Sequence, residues 1–127
     1  MKEILVTGGL GYIGSHTVVQ LIEKNYNVTI VDNLSNSKIF ILDNIEKITG
    51  KRPNYFNIDL TDYNKINSSF SGKKFDGVIH FAAFKSVSES VNHPEKYYHN
   101  NLNSLLNVLR WMKENNNKNI IFSSSCT

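Results

Sequence analysis

The stretch VTGGLGYIGSH, residues 6–16, decides the fold of this chain of 127 residues. An apolar run at residues 4–6 precedes it, as in a buried strand, and apolar residues at helical spacing follow it. The glycines Gly8, Gly11 and Gly14 therefore lie where a strand turns into a helix. Glycine allows the tight backbone angles of such a turn and lets a pyrophosphate approach the main chain, where the unpaired N–H groups of the helix start face it.

A carboxylate ends the next strand. The apolar run at residues 28–31 is followed by Asp32, about 20 residues beyond the glycine turn, as in dinucleotide-binding sequences. At the tip of that strand a carboxylate accepts hydrogen bonds from both ribose hydroxyls of an adenosine and repels a 2′-phosphate. The sequence thus predicts binding of NAD rather than NADP. The alternative is a solvated strand-end carboxylate without a ligand, which this spacing disfavours.

Length and composition predict one domain. With 40% hydrophobic residues, 127 residues bury a single core and leave no room for a second. The net charge of +3 comes from scattered Lys and Arg, which argues against a nucleic-acid or membrane partner. Cys126 is the single cysteine, so no internal disulfide forms, and no signal peptide or membrane-length apolar segment is evident. We expect a cytoplasmic protein.

The remainder of the chain alternates strands and helices. Further strands are predicted at residues 53–58, 76–83 and 118–125. Further helices are predicted at residues 39–48, 62–70 and 95–114. The last helix is predicted to bury Leu102, Leu105, Leu106, Leu109 and Met112, and its Trp111 is expected to be a core or helix-packing residue. Five strands joined by helical crossovers predict an α/β fold, a doubly wound Rossmann-type parallel sheet in the order 3-2-1-4-5 with helices on both faces.

Such a sheet predicts the place of a ligand. Ligands bind beyond the carboxyl ends of the strands where the strand order reverses, here between the first and fourth strands. The residues at those ends are 8–14, 32–33, 59–60, 81–85 and 123–125. We expect all of them to face one crevice.

Several segments carry a resemblance to known enzymes. Thr7-Gly8-x-x-Gly11-x-x-Gly14 has the glycine spacing of the extended short-chain dehydrogenase/reductase superfamily. Within it, four segments resemble the UDP-glucose 4-epimerase family: DNLSNS at 32–37, HFAAFKSVSES at 80–90, YYHNN at 97–101 and FSSS at 122–125. The resemblance covers the whole chain, and its most specific part is the segment around Lys85.

The resemblance implies roles in NAD binding. The backbone amides of Tyr12 and Ile13 would meet the pyrophosphate. The ribose of the adenosine would be surrounded by Asp32, Asn33, Leu34, Ser35, Asn36 and Ser37. The adenine would contact Asp59 and Leu60, and the rest of the cofactor path would be lined by Phe81, Ala82, Ala83, Lys85 and Asn100. For Lys85 a solvated loop lysine remains the alternative.

The resemblance also implies the reaction. UDP-glucose and UDP-galactose would be interconverted: a base removes the proton of the sugar 4-hydroxyl, and hydride passes from C4 to NAD and returns on the other face. Ser125 would be the catalytic serine that bonds this hydroxyl, and Lys85 and Ser125 would both contact the substrate. Full-length relatives are expected to be homodimers.

The chain differs from the family in the catalytic base, which is not found among these residues. That base is a Tyr in a Tyr-x-x-x-Lys motif downstream of the Ser-rich strand, and none of the six tyrosines here has a Lys four residues later. We therefore expect residues 1–127 to be an incomplete NAD-binding Rossmann domain, truncated after the fifth strand and inactive alone. Two alternatives stay open: another NAD-dependent sugar-nucleotide dehydratase or decarboxylase, and a non-catalytic NAD-binding module.

Other conspicuous residues receive a structural interpretation. His80 lies in an apolar strand and is expected to be a packed, hydrogen-bonded core residue. The remaining histidines lack metal-ligand spacing with Cys126, so no metal is expected. The asparagines at residues 115–117 are interpreted as compositional bias at a helix end.

Overall fold

The computed structural model of the chain describes residues 1–35, 37–82 and 92–123. The strands within these ranges are β1 Glu3–Thr7, β2 Asn27–Val31, β3 Asn54–Phe56, β4 Gly77–His80 and β5 Ile120–Phe122. The helices are α1 Tyr12–Glu23, α2 Phe40–Thr49, α3 Tyr63–Phe70 and α4 Pro94–Glu114. None of the helices in the described ranges is long and apolar enough to cross a membrane.

The strands form one parallel sheet in the order β3-β2-β1-β4-β5. The predicted fold class and strand order are therefore confirmed. β1 lies at the centre, where Val6 pairs with Ile30 of β2 and Ile79 of β4. The strand order reverses between β1 and β4, so the carboxyl ends of these two strands flank the predicted ligand crevice.

Helices cover both faces of the sheet. Successive side chains of a strand point to opposite faces, and in β1 Leu5 and Val6 accordingly belong to two different cores. Val6 packs on the side of α1 and α2, which contribute Val18 and Ile45. Leu5 packs on the side of α3 and α4, whose core is formed by Ile58, Leu60, Ile66, Phe70, Val108, Trp111 and Met112.

Local sequence signals set the ends of the helices. Gly50 follows α2 with a φ of +76°, the left-handed conformation that glycine adopts at helix ends. The carboxylate of Asp62 accepts a hydrogen bond from the Lys65 amide at 3.3 Å and caps α3. Pro94 occupies the first turn of α4, where its missing N–H costs nothing.

The two edge strands are shorter than predicted. β3 has three residues instead of the six predicted, and β5 also has three. Each pairs with one neighbour over three positions. The apolar pattern that suggested a longer β3 continues to Ile58, but Ile58 is buried by the core beneath α3 and α4 and has left the sheet. The buried apolar pattern therefore continues to Ile58, two residues beyond Phe56, where the strand ends.

The predicted buried face of α4 is wrong in part. Met112 is buried as predicted, but Leu102, Leu106 and Leu109 are 37%, 51% and 40% exposed. Trp111 is buried beside Met112, and the remaining buried positions are Ser104 and Val108, at helical spacing from these two residues. The physical reason is Trp111, whose ring fills the core and whose Nε1 donates to the Phe70 carbonyl at 3.1 Å. This large side chain determines the rotation of the helix.

Candidate functional site

The glycine turn brings the end of β1 against its neighbours. Gly8 has a φ of +69°, and a Cβ placed on it would lie 2.9 Å from the Ala82 nitrogen. A Cβ on Gly14 would lie 2.2 Å from the Gly8 carbonyl oxygen. Neither position accepts a side chain without movement of the backbone. The glycines therefore allow α1 to start directly against the strand end, as the sequence predicted.

The start of α1 is suited to an anion. Gly11 is the N-cap and offers no side-chain hydrogen bond, and no acidic residue lies in the first turn. The following residues Tyr12 and Ile13 are 83% and 44% exposed. Uncapped amides together with the helix dipole attract negative charge at this end. The structure thus places Tyr12 and Ile13 where a phosphate group can approach.

Asp32 connects the glycine turn to the segment after β2. Its buried carboxylate accepts from the Leu10 amide at 3.1 Å through Oδ2, and from the Leu34 amide and the Ser37 hydroxyl at 2.8 Å each through Oδ1. A carboxylate has about four acceptor positions. Among the described residues three are used, so Oδ2 retains one for a ligand.

The segment after β2 has an irregular backbone. Leu34 adopts a φ of +64°, which is uncommon for a residue with a side chain. Asn33 and Ser35 are exposed, and the Asn33 carboxamide oxygen accepts from the Ser35 amide at 3.1 Å. Asn36, which the resemblance places in the same group, lies outside the described residues.

A tyrosine that the sequence did not single out supports Asp32. The Tyr55 hydroxyl donates to the Asp32 backbone carbonyl at 2.9 Å. Partial burial, together with the nearby charge of Asp32, raises the pKa of Tyr55 above its usual value. The phenol therefore stays protonated at neutral pH and remains a donor. β3 had been predicted as a strand, but no signal in the sequence indicated this bond.

The segment that follows β3 carries the two residues assigned to adenine. Asp59 is exposed, and its Oδ1 accepts from the Thr61 amide at 2.9 Å and from the Thr61 hydroxyl at 2.7 Å. Leu60 is buried, and its carbonyl accepts from Nδ2 of Asn107 on α4 at 2.8 Å. Sequence reasoning missed Asn107. No signal in the sequence indicated this bond, because its two residues lie 47 positions apart.

The ends of β1 and β4 are joined by a buried polar group. The Thr7 hydroxyl accepts from the amides of Phe81 and Ala82 at 3.2 and 3.3 Å and lies 2.7 Å from Nδ1 of His80. The Phe81 amide also donates to the Thr7 backbone carbonyl at 3.0 Å, so Thr7 holds Phe81 through both its carbonyl and its hydroxyl. His80 is thus a buried, hydrogen-bonded core residue, as predicted, and Phe81 and Ala82 are held beside Gly8.

The structure brings most of the predicted cofactor residues to the carboxyl edge of the sheet. Asn100 lies in the first half of α4, half-buried, and donates to the Asn101 side chain at 3.3 Å. Ala83, Lys85 and Ser125 lie outside the described residues, so the roles predicted for them stay predictions. Within the described ranges no group of three or more His, Cys, Asp or Glu side chains could hold a metal ion.

Nearly the whole chain is similar in sequence to known proteins. Residues 5–127 match the family described as GDP-mannose 4,6 dehydratase. The bifunctional protein GAL10 of Pachysolen tannophilus is 50% identical over 127 residues, which are 100% of this chain and 18% of that protein. UDP-glucose 4-epimerase uge1 of Schizosaccharomyces pombe is 48% identical over 124 residues, 98% of this chain and 35% of that protein.

The fold is also similar to solved structures. The crystal structure of UDP-glucose 4-epimerase from Bifidobacterium longum in complex with NAD+ and UDP superposes with a TM-score of 0.93 at 46% identity. This match covers 98% of the present chain and 37% of that one. The chain therefore spans well under half the length of the relatives that it resembles.

Proposed function

Because the chain belongs to the GDP-mannose 4,6 dehydratase family, whose pattern it matches over residues 5–127, we propose that it is the NAD-binding portion of a UDP-glucose 4-epimerase. The observation that carries this proposal is the buried carboxylate of Asp32, hydrogen-bonded to the Leu10 amide of the glycine turn at the tip of β2. This is the arrangement in which an adenosine ribose and a pyrophosphate are bound side by side.

The pyrophosphate is proposed to lie at the start of α1. Gly8, Gly11 and Gly14 let it approach the backbone, and the amides of Tyr12 and Ile13 donate to its oxygens. No acidic residue in the first turn opposes the charge. This end of the helix therefore supplies both donors and a favourable dipole.

The adenosine ribose is proposed to bind Asp32. Since one acceptor position of Oδ2 remains among the described residues, a ribose that donates two hydrogen bonds replaces one present donor. The Ser37 hydroxyl is that donor, because it can rotate away while the Leu10 and Leu34 amides are fixed by the backbone. Asn33, Leu34, Ser35 and Asn36 complete the ribose surroundings in this proposal. A 2′-phosphate would bring a second negative charge against the buried carboxylate, which favours NAD.

The other cofactor contacts follow the ends of β3 and β4. Asp59 and Leu60 are proposed to bind the adenine, and the remaining path is proposed to involve Phe81, Ala82, Ala83, Lys85 and Asn100. The Thr7 hydroxyl supports this path by holding the amides of Phe81 and Ala82.

The proposed reaction is epimerisation at C4 of UDP-glucose and UDP-galactose. NAD, when bound, supplies a hydride acceptor and donor for the sugar C4. Ser125 bonds the 4-hydroxyl and aligns its proton, and Lys85 contacts the substrate. A serine alcohol is a poor proton acceptor at neutral pH. We therefore propose that these 127 residues alone, which contain no Tyr-x-x-x-Lys, bind NAD without turnover.

A dehydratase is the second candidate. The matched family takes its description from a sugar-nucleotide dehydratase. Several similar proteins are named UDP-glucose 4-epimerase and are 46–49% identical to this chain, and this favours the epimerase. For partners we propose a homodimer, supported by the exposed Leu102, Leu106 and Leu109 on α4. A reducing, cytoplasmic setting is supported by the single cysteine.

Calorimetry on the folded chain tests the cofactor assignment. We expect NAD to bind at least about tenfold more tightly than NADP, because a desolvated charge opposes the 2′-phosphate. Circular dichroism establishes that the sample is folded before titration. Equal affinity for the two cofactors would contradict the role of Asp32, and a folded chain that binds neither would overturn the proposed function.

A chimera tests the chemistry. Residues 1–127 replace the matched segment of the Bacillus subtilis UDP-glucose 4-epimerase, which is 47% identical over 124 residues. We expect this chimera to epimerise UDP-galactose, and Ser125→Ala to lower its kcat by roughly 10²–10⁴-fold, the usual scale for a positioned proton-transfer group. Ser68→Ala on the exposed side of α3 is the matched control. An unchanged kcat for Ser125→Ala would show that the serine has no part in proton transfer.

A further inference from the structure

A polar side chain of α4 forms a hydrogen bond to the segment that follows β3. Nδ2 of Asn107 donates to the backbone carbonyl of Leu60 at 2.8 Å, across 47 positions of sequence. Asn107 is half-buried, and its neighbours Val108 and Trp111 belong to the same core as Leu60. The bond therefore connects the middle of a long packed helix to the segment that follows an edge strand.

That segment is otherwise held largely by local bonds. The Asp59 carboxylate accepts from the amide and hydroxyl of Thr61, and the Asp59 carbonyl accepts from the Asp62 amide at 2.9 Å. These bonds give the turn its shape. They do not fix its position against the rest of the protein, which depends on the buried side chains of Ile58 and Leu60 and on the Asn107 bond.

We propose that Asn107 is a positioning residue for adenine recognition. This inference rests on the proposed function, in which Asp59 and Leu60 contact the base. By holding the Leu60 carbonyl, the amide of Asn107 fixes the peptide plane that follows Leu60. With the side chain of Leu60 buried on the other side, the backbone of this residue has one orientation.

The chemistry of the base explains why orientation matters. Adenine presents a donor at N6 and an acceptor at N1, and the complement is a carboxylate beside a backbone N–H. Asp59 and Leu60 supply that pair in adjacent residues. Hypoxanthine presents the reverse, an acceptor at O6 and a donor at N1. A rigid pair rejects hypoxanthine strongly, whereas a pair that can shift rejects it weakly.

A neutral amide is suited to this task. Asn donates to the carbonyl without adding charge next to an uncharged base, and its short side chain leaves few rotamers to order. An apolar side chain at position 107 leaves the buried Leu60 carbonyl without its donor, and a carboxylate repels it. Both changes release the turn while the core around Trp111 stays intact.

The test compares two cofactors in the same folded protein. Calorimetry measures the affinities of the chain for NAD and for nicotinamide hypoxanthine dinucleotide, after circular dichroism has established folding. For the unsubstituted chain we expect a preference for NAD of at least about 30-fold. For Asn107→Leu we expect this ratio to fall at least about fivefold, the scale of one lost hydrogen bond. A ratio within one folded sample does not change when stability alone is lost.

Two further variants sharpen the result. Asn107→Asp keeps the volume of the side chain but cannot donate, so it gives the same fall in the ratio and serves if the leucine variant does not fold. Asn103→Leu is the matched control on the same helix, because the Asn103 Nδ2 lies 3.0 Å from His99 Nδ1 and its bond does not involve the turn after β3. We expect it to leave the ratio within about twofold.

The outcomes separate this inference from the proposed function. A fall in the ratio for either folded Asn107 variant, with no change for Asn103→Leu, supports the positioning role. NAD binding with an unchanged ratio in the folded Asn107 variants overturns the inference and leaves the proposed function standing. A folded, unsubstituted chain that binds no NAD overturns both.

Discussion

The two ends of the sheet are braced by similar side chains but to different effect. At the amino ends of β4 and β5, Asn117 accepts from the Phe75 amide at 2.6 Å and donates to the Lys73 carbonyl at 3.1 Å. Asn115 accepts from the Gly72 amide at 2.7 Å. At the carboxyl ends, the carboxylate of Asp32 holds the Leu10 and Leu34 amides.

Asn117 and Asp32 differ in charge and in whether a hydrogen-bond acceptor position remains unused. Asn117 is a neutral amide that donates and accepts within the protein, so it closes a turn. Asp32 carries a charge at the edge where α1 presents uncapped amides, and its Oδ2 retains an acceptor position among the described residues. We infer that the amino end is built for stability and the carboxyl end for a ligand. Substitutions at the two ends test this contrast.

The largest effect is expected at Gly14. Its added Cβ in Gly14→Ala would lie 2.2 Å from the Gly8 carbonyl oxygen, so the start of α1 has to move away from β1. We expect NAD affinity to fall by more than about 100-fold, and the free energy of unfolding by about 1–3 kcal/mol, as for other overpacked sites. Calorimetry and urea unfolding measure the two quantities.

The matched control is Gly77→Ala on β4. Its added Cβ would lie 3.5 Å from the Cδ1 of Ile4, an ordinary contact. We expect near-native NAD affinity for this variant. If Gly14→Ala binds NAD as tightly as Gly77→Ala does, the glycine turn is not the pyrophosphate site.

The next effect is expected at Asp32. Asp32→Ala removes the acceptor for two backbone amides and the proposed partner of the ribose, so stability and NAD affinity both fall. We expect a loss of binding energy of about 1.5–3 kcal/mol for each charge-assisted bond to the ribose. Asp43→Ala on the exposed side of α2 removes a surface ion pair with Arg52 and serves as the control. Unchanged NAD affinity for Asp32→Ala would contradict the inference that the carboxyl end of the sheet binds the ligand.

The part of the site that the sequence predicted is the part encoded locally. A strand, a glycine turn, a helix and a second strand ending in Asp32 lie within residues 3–32 and have characteristic spacings. The strand order followed from the general handedness of parallel crossovers. Asp32 was thereby expected at the same edge of the sheet as the glycine turn, and its bond to the Leu10 amide lies at that edge.

The supporting contacts could not be predicted because they join distant residues. Tyr55 to Asp32, Asn117 to Phe75 and Asn107 to Leu60 span 23, 42 and 47 positions, and a single polar residue has no periodicity that indicates its partner. The interpretation of residues 115–117 as compositional bias missed the bracing role of Asn115 and Asn117 for this reason.

The buried face of α4 is a second feature that the sequence predicted wrongly in part. Counting leucines predicted a buried stripe at Leu102, Leu106 and Leu109, which are exposed. A helix with apolar residues on two sides has two candidate faces, and the packing of Trp111 against Phe70 decides between them. That contact exists only in the folded chain.

A smaller effect, confined to stability, is expected at Asn117. Asn117→Ala leaves the Phe75 amide and the Lys73 carbonyl without their partner, and we expect the free energy of unfolding to fall by about 1–3 kcal/mol. NAD affinity of the folded variant should stay within about twofold, because the turn lies at the opposite edge of the sheet. Asn67→Ala, exposed on α3, is the control. A parallel loss of NAD affinity would contradict the division between a structural and a ligand-binding end.

The smallest effect is expected from a group of three side chains that joins the start of α3 to the end of α4. The carboxylate of Glu114 accepts from the Tyr63 hydroxyl and, at 2.9 Å, from Arg110, and these two bonds lower the pKa of Glu114 below its usual value. A carboxyl group whose folded-state pKa is lowered contributes stability above its unfolded pKa and loses it as pH falls through the folded-state pKa. We therefore expect the stability difference between the unsubstituted chain and Glu114→Gln to be present at pH 7. Below about pH 4.5, near the unfolded pKa of a glutamate, the difference shrinks as Glu114 takes up its proton.

Urea unfolding at a series of pH values measures this stability difference, with Glu23→Gln on the exposed side of α1 as control. We expect NAD affinity to stay constant through this titration. A change in NAD affinity would mean that the contact between α3 and α4 is coupled to the proposed ligand site, which would contradict a purely structural role for Glu114.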